Sequence, residues 1–398
     1  MTEKIRVAIV VSHPIQHFIH LYRALAKQPF LDLLVIYCSD IGVRKYFDKG
    51  MGVEITWHSD LLSGYKHVFL PEASRINGTG FQSVNNPSIS RVLKEFSPHI
   101  VKLHGYAQIT LLRALFWCRL HGVPVLIWSD SELLRMRKPL KRFLKQLVLR
   151  PFFSLFSGFL TVGENNEAYF RNYGVSARRM FRTPFTFDED AIQKSRENRD
   201  SIRKEMRTKL GIPASAFVVL VVGKLVEYKR PGDVIEALRL LKGTRNNGKA
   251  VYAVFVGDGV IRDLLEKQCE GARENCRFAG FVNIDELPDY YVMADVLAHV
   301  SDVDAHPLCN SEAILSGLPL ILSDKVGTIG ATDVARPGKN AIVCSCGDTR
   351  AVAYAIERLA SDKELYDRMK DESLKIAKEL NISASVRGFM NAVYSVMR

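Results

Sequence analysis

The chain lacks any recurring cysteine spacing. Its seven cysteines, Cys38, Cys118, Cys269, Cys276, Cys309, Cys344 and Cys346, are odd in number and scattered, and Cys344-Ser-Cys346 stands alone. That argues against a disulfide framework and against a structural zinc site; reduced, cytosolic thiols are the expectation. No apolar run approaches the about 20 residues needed to span a bilayer. Pro151–Gly163 is far shorter and contains serines, and Arg6–Val11 is too short for a signal core, so no secretory leader is expected. Without one, the sequons at Asn77 and Asn381 carry no weight. The third glycine of a dinucleotide fingerprint is also missing from Val256-Gly257-Asp258-Gly259, which speaks against a nicotinamide enzyme. No strong His, Cys, Asp or Glu cluster is visible, so neither a metal nor another cofactor is expected. Asp302-Val303-Asp304 has the D-x-D form of some metal sites, but a two-residue match arises often by chance.

What is present is a chain of 398 residues, 47% hydrophobic, long enough for two or three domains. Its net charge of +12 favours anionic partners such as nucleic acid, an anionic membrane or phosphorylated substrates. Part of the excess is local. Arg135, Arg137, Lys138, Lys141, Arg142, Lys145 and Arg150 fall in one stretch without an acid. Within it Leu140, Phe143, Leu144, Leu147 and Val148 recur at spacings of three and four. Such a helix can lie in the headgroup region of an anionic membrane, with the protein peripheral on the inner face of the cytoplasmic membrane. It can equally pack its apolar stripe on a core and leave the cations solvated.

Two series of strand–helix alternation run along the chain. The first has strands at Val7–Val11, Leu33–Tyr37, His99–Leu103, Val123–Trp128 and Phe159–Val162, with helices at Ile15–Gln28, Ile89–Phe96, Ala107–His121 and Asn165–Tyr173. Cys38 to Asn86 is irregular, and Pro184–Lys209, charged and poor in apolar residues, reads as a linker and the approach to a second domain. There the alternation restarts, with strands at Phe217–Val222, Tyr252–Val256, Val296–Val300 and Leu318–Leu322 and helices at Pro231–Leu241, Val260–Gln268, Asp285–Met293 and Pro307–Ser316. Helices follow at Arg350–Ala360, Lys363–Lys378 and Ala384–Met397. Repeated units of this kind indicate an α/β fold with parallel sheets covered on both faces. Two such sheets imply two domains facing across a cleft, where ligands usually bind.

The chemistry gathers at predicted strand ends of the second series. Gly223 lets the backbone turn or a ligand approach, and Lys224 and Lys229 follow it, two cations suited to a diphosphate. Gly257 makes a tight turn after the next strand. Asp304 precedes a helix whose first turn, begun by Pro307, leaves the amides of Leu308, Cys309 and Asn310 to attract phosphate. Glu312, one to two turns in, can accept hydrogen bonds from sugar hydroxyls.

Gly223-Lys224-Leu225, Lys229-Arg230-Pro231, the turn at Gly257, the Phe281-Val282-Asn283 turn and the acid-x7-Glu element of Asp304 and Glu312 occur in this order. Together they resemble the retaining glycosyltransferases of family 4 (group 1), of the kind found in bacterial surface-polysaccharide biosynthesis. The likeness covers about Phe217 to Ala360. It implies a GT-B fold of two Rossmann-like domains and transfer of a sugar from a nucleotide-sugar to a glycan or lipid-linked saccharide, without nucleic acid. It further implies that Lys224 and Lys229 hold the donor phosphates, Glu312 the ribose, Asp304 the region of the donor sugar, and Phe281, Val282 and Asn283 the base. The family pattern usually has Glu where this chain has Asp304 and Arg where it has Lys224; both exchanges keep charge and change reach.

The first series resembles the family less. Ser12-His13-Pro14-Ile15-Gln16-His17 is similar to one branch of it, but the usual glycine pair is absent. Asp130 occupies the place of a histidine common in the family. Asp130 or Glu132 can hydrogen-bond a sugar hydroxyl; His13, His17 and His104 are alternative acceptor-side residues or structural histidines. The expected organisation is an acceptor-side domain over 1–183, a donor-binding domain over 184–383, and a last helix over 384–398 that packs back onto the first. A sugar-nucleotide epimerase or hydrolase on the same fold, or a non-catalytic partner subunit, are the rival readings.

Overall fold

The computed structural model describes residues 4–48, 52–55, 60–134, 139–242, 249–271 and 273–397. Two compact units emerge. The first comprises 1–46, 55–187 and 380–398; the second comprises 47–54 and 188–379.

The first unit is built on seven strands in the order His67–Phe69, Leu31–Tyr37, Ile5–Val11, Ile100–His104, Val125–Trp128, Gly158–Thr161 and Met180–Arg182. Every pairing is parallel. The central run Val7–Val11 is fully buried, as expected of a strand with helices on both faces. The irregular stretch after Cys38 therefore hides an edge strand, His67–Phe69, too short for its periodicity to register. The helix Ile382–Met397 belongs to this unit, where Ser385 donates to the Pro184 carbonyl at 2.7 Å.

The second unit has six parallel strands in the order Cys276–Gly280, Val251–Val256, Phe217–Val222, Val296–His299, Leu320–Ser323 and Ala341–Cys344. Two of these were not read from pattern: Cys276–Gly280, interrupted by Arg277, and Ala341–Cys344, only four residues long. In both units the structural neighbours described below share the architecture, a GT-B fold.

One expectation is corrected. Pro184–Lys209 is no linker: it holds helices Glu189–Glu197 and Arg199–Lys209. Their polar composition conceals a buried role. Arg207, 2% exposed, donates to the carbonyls of Ala214 and Ala216 at 2.8 Å and to Asp295 Oδ2 at 2.8 Å. Arg203, one turn earlier, holds Asp295 Oδ1 at 2.6 Å. A charge buried this way is stable because it is paired and hydrogen-bonded.

The helix Pro139–Ser154 had two readings, an interfacial face or packing on the core. Its apolar stripe does not pack on the core. Leu140, Phe143, Leu144, Leu147 and Val148 are 53–69% exposed, while Leu149 and Phe153 on the opposite side are buried and anchor it. Lys145 folds over the rings of Tyr169 and Tyr173, at 4.8 and 5.5 Å. Arg135, Arg137 and Lys138 and the side chains of Lys141 and Arg142 lie outside the described residues. Among the described residues no helix is long and apolar enough to cross a membrane.

Candidate active site

In the second unit three loops leave the carboxyl ends of adjacent strands. The first begins at Gly223, in the left-handed region at φ 139°, with open space where a side chain would stand. The second begins at Gly257, also left-handed at φ 131°. A Cβ on Gly257 would lie 2.1 Å from the Gly223 carbonyl oxygen, so only glycine lets these two backbones touch. The contact is sewn further by Gly223 N to the Val256 carbonyl and Leu225 N to the Asp258 carbonyl, each at 2.9 Å. Gly223, Lys224, Leu225, Lys229, Ala298 and His299 border a small cavity that opens to solvent.

Asp304, in the third loop, is the point where the loops are tied. Lys229 donates to its Oδ2, which also lies 2.9 Å from His299 Nε2. Burial opposes ionisation of Asp304, but the hydrogen bonds from His299 and Lys229 and the charge of Lys229 outweigh it and hold the pKa at about 2. His299 is itself driven below its ordinary value by burial, which keeps the ring neutral. A neutral ring that donates from Nε2 must accept at Nδ1. Cys309 Sγ lies 3.4 Å from Nδ1 and 3.7 Å from Asn310 Oδ1, and burial pushes its thiol pKa up, so the sulfur keeps its proton.

The helix Leu308–Leu315 starts one residue later than its proline suggested. Pro307 is the cap, at ψ 118°, and Asn310 N is committed to the Pro307 carbonyl at 3.2 Å. Of the three amides read as anion donors, those of Leu308 and Cys309 therefore supply the open first turn. Glu312, on the same helix, accepts from Tyr291 Oη at 2.7 Å. Burial raises its pKa to about 7, against the lowering effect of that bond.

Asp302 and Asp304 do not act together. Asp302 is exposed and takes Arg230 at 3.3 Å and Cys346 Sγ at 3.1 Å, while Asp304 takes Lys229 and His299. Among the described residues there is no group of three or more His, Cys, Asp or Glu side chains placed to share a metal ion. Phe281, Val282 and Asn283 are half-buried, in the turn after Cys276–Gly280; the Asn283 carbonyl accepts from Glu286 N and Leu287 N, each at 3.1 Å.

The residues anticipated in the first unit lie at or after its strand ends. His13 is half-buried, 2.8 Å from Ser12 Oγ, and burial lowers its pKa to about 4. His17 packs between Phe18 and Phe185, at ring distances of 4.5 and 5.0 Å, and its carbonyl accepts from Thr186. His104 ends its strand against Trp128 at 4.4 Å. Asp130 is exposed; Glu132 accepts from its own loop at Leu134 N. Sequence reasoning missed Lys102, a buried lysine 3.3 Å from His104 Nδ1. A single lysine inside an otherwise apolar strand run was the available signal.

Comparison with known proteins follows this geometry. Residues 202–375 match the model of the family described as glycosyl transferases group 1. The match takes in less than half of the chain. The match contains Gly223, Lys229, Gly257, Asp304 and Glu312. Over 169 residues the chain is 32% identical to the lipopolysaccharide core biosynthesis glycosyltransferase LpsE of Rhizobium meliloti, covering 42% of this chain and 46% of that protein. The chain thus spans less than half the length of that relative. A longer, weaker likeness, 24% over 311 residues, joins it to the putative glycosyltransferase EpsD of Bacillus subtilis, covering 77% of this chain and 79% of that one. Among solved structures, Anabaena HepE in complex with UDP superposes with a TM-score of 0.73 at 18% identity, over 98% of this chain and 100% of that one. WaaG, a glycosyltransferase involved in lipopolysaccharide biosynthesis, does so with a TM-score of 0.63 at 17% identity, over 95% and 98%. At such identities these structures share the fold of the group 1 region and of the first unit.

The raised pKa of Glu312 gives a signed prediction. A carboxyl whose pKa rises from 4.5 to about 7 on folding favours the folded state below 4.5, and that contribution is lost as pH rises through about 7. Denaturant unfolding of Glu312→Gln across this window should show a folded variant without that decline. An identical pH slope in variant and parent would place the titration elsewhere.

Proposed function

We propose that the chain is a glycosyltransferase that moves a sugar, with retention, from a nucleotide-sugar to a glycan or lipid-linked saccharide in the synthesis of a cell-surface polysaccharide. The observation that carries the proposal is the junction of Lys229, Asp304 and His299 beside an open glycine-floored cavity, inside the group 1 region. The likeness to LpsE supports the pathway, and HepE's complex with UDP supports a nucleoside-diphosphate donor.

In this reading Gly223 and Gly257 let the donor diphosphate approach backbone. Lys224 and Lys229 balance its charge, and the Leu308 and Cys309 amides meet the charge that grows on the leaving group. Donors held in place before bond cleavage act on the transition state without a metal. Asp304 orients Lys229 and lies by the donor sugar, Glu312 receives the ribose hydroxyls, and Phe281, Val282 and Asn283 take the base. Asp130, Glu132, His13, His17 and His104 face the acceptor side of the reaction.

A thermal-shift screen with UDP-, GDP-, ADP- and CMP-sugars tests this. The true donor at 100 times its Kd stabilises the protein by about 2.7 kcal/mol. Lys229→Ala should then lose roughly 1.5–3 kcal/mol of donor binding, the worth of a charge-assisted bond, while staying folded. No shift with any nucleotide-sugar, or unaltered binding in the variant, contradicts the reading. Turnover should persist in EDTA; loss restored by Mn²⁺ or Mg²⁺ would move Asp302 and Asp304 into a metal role.

The same proposal puts the protein on the inner face of the cytoplasmic membrane, held by the helix Pro139–Ser154. Its outward stripe of Leu140, Phe143, Leu144, Leu147 and Val148 has the form of an interfacial helix. Each cation near an anionic surface adds about 1 kcal/mol. Co-sedimentation with liposomes should require anionic lipid and weaken with salt, and Leu144→Glu with Leu147→Glu should abolish it. Equal recovery in the supernatant with neutral and anionic vesicles would leave the protein off the membrane.

A further inference from the structure

The carboxyl edge of the first unit's sheet holds a lysine with no place in the scheme above. Lys102 lies in the strand Ile100–His104 and is 2% exposed. An ammonium has three hydrogens to donate. Among the described residues the one hydrogen-bond partner of Lys102 Nζ is His104 Nδ1. Its other neighbours are the rings of Phe18 and Trp128, with centroids 5.3 and 5.6 Å away.

No counter-charge bears on this pair among the described residues. Burial alone lowers the lysine, to about 7. Burial acts first on His104 as well, followed by Lys102, His17 and His13, all of one sign when charged. An amine buried without a carboxylate destabilises a fold. Groups held in that way are candidates for functional positions.

The bond also fixes the histidine. Below about pH 7 the lysine is charged and offers only donors, so Nδ1 of His104 must accept and the ring proton sits on Nε2. Among the described residues Nε2 has no protein partner. His104 is half-buried, and its Nδ1 is turned to the buried amine.

We propose that Lys102 and His104 form an anion receptor in the first unit. His104 Nε2–H binds an anionic oxygen of a ligand, from a phosphate ester or a carboxylate. Lys102 is the positioning residue behind it, holding the tautomer and supplying charge. Half-buried His13 and His17 add cations at the same edge when the anion arrives. The receptor requires no sugar transfer, so it stands or falls apart from the proposed activity.

The test uses the full chain with ¹⁵N-labelled histidine in mildly acidic buffer, titrated with inorganic phosphate and, separately, with acetate. The unliganded protein should show His104 with an unprotonated Nδ1. At least one anion should shift Nε2 saturably and more weakly in salt, and the tighter one identifies the source as phosphate or carboxylate. Lys102→Met should weaken that binding roughly tenfold or more and release the tautomer. It should also raise the thermal midpoint, because an unpaired buried amine has gone. His104→Gln, which keeps a donor, should retain more binding than His104→Phe. A lower midpoint in Lys102→Met with binding and tautomer unchanged would make Lys102 structural and overturn the proposal. So would a His104 ring that neither anion perturbs.

Discussion

Asp304 accepts from Lys229 and from His299 at once, and this shared carboxylate ties the loop after Phe217–Val222 to the loop after Val296–His299. Other features around the cavity follow from that tie. Lys229 is drawn out of solvent and held beside the glycine floor. His299 is held neutral by burial, with Cys309, at the start of the helix Leu308–Leu315, against its other nitrogen. The chain of bonds thus runs from a lysine on one strand-end loop to the first turn of a helix on another. A parallel sheet makes this possible, since it sends all its loops out of one edge.

The glycine contact is the second constraint. Gly223 and Gly257 touch through backbone, where a single methyl would lie 2.1 Å from a carbonyl oxygen. With no side chains there, a ligand can reach main-chain atoms directly. Burial then sets the protonation of what surrounds the floor: it leaves Asp304 charged because two partners compensate, and leaves Glu312 half-protonated near neutrality because only Tyr291 does. The surroundings therefore shift the two acids of one short segment in opposite directions.

Long apolar strands and punctuated helices were legible in the sequence. Phe217–Val222, Pro231–Leu241 and Ile89–Phe96 coincide with their expected limits, because glycine, proline and strict periodicity bound them. Edge strands such as Met180–Arg182 and Ala341–Cys344 did not register, being three and four residues long. Helices Glu189–Glu197 and Arg199–Lys209 looked like a linker since their buried contacts are made by arginines, whose burial depends on Asp295 some 88 residues away. In the site, Lys229 and Asp304 were named from separate motifs, and only the fold reveals that they pair. Lys102 escaped notice because its partner lies two residues on along the same face of a strand, a relation that composition does not display.

The most direct measurement is nucleoside-diphosphate affinity and sugar turnover in Asp304→Asn. Asparagine retains a hydrogen bond to His299 and removes the negative charge paired with Lys229. If Asp304 orients Lys229 beside the donor diphosphate, the variant should bind the diphosphate product as well as the parent or more tightly, and turn over the donor at least about tenfold more slowly. Affinity and turnover that fall together, or that both stay unchanged, would contradict an arrangement built around this carboxylate.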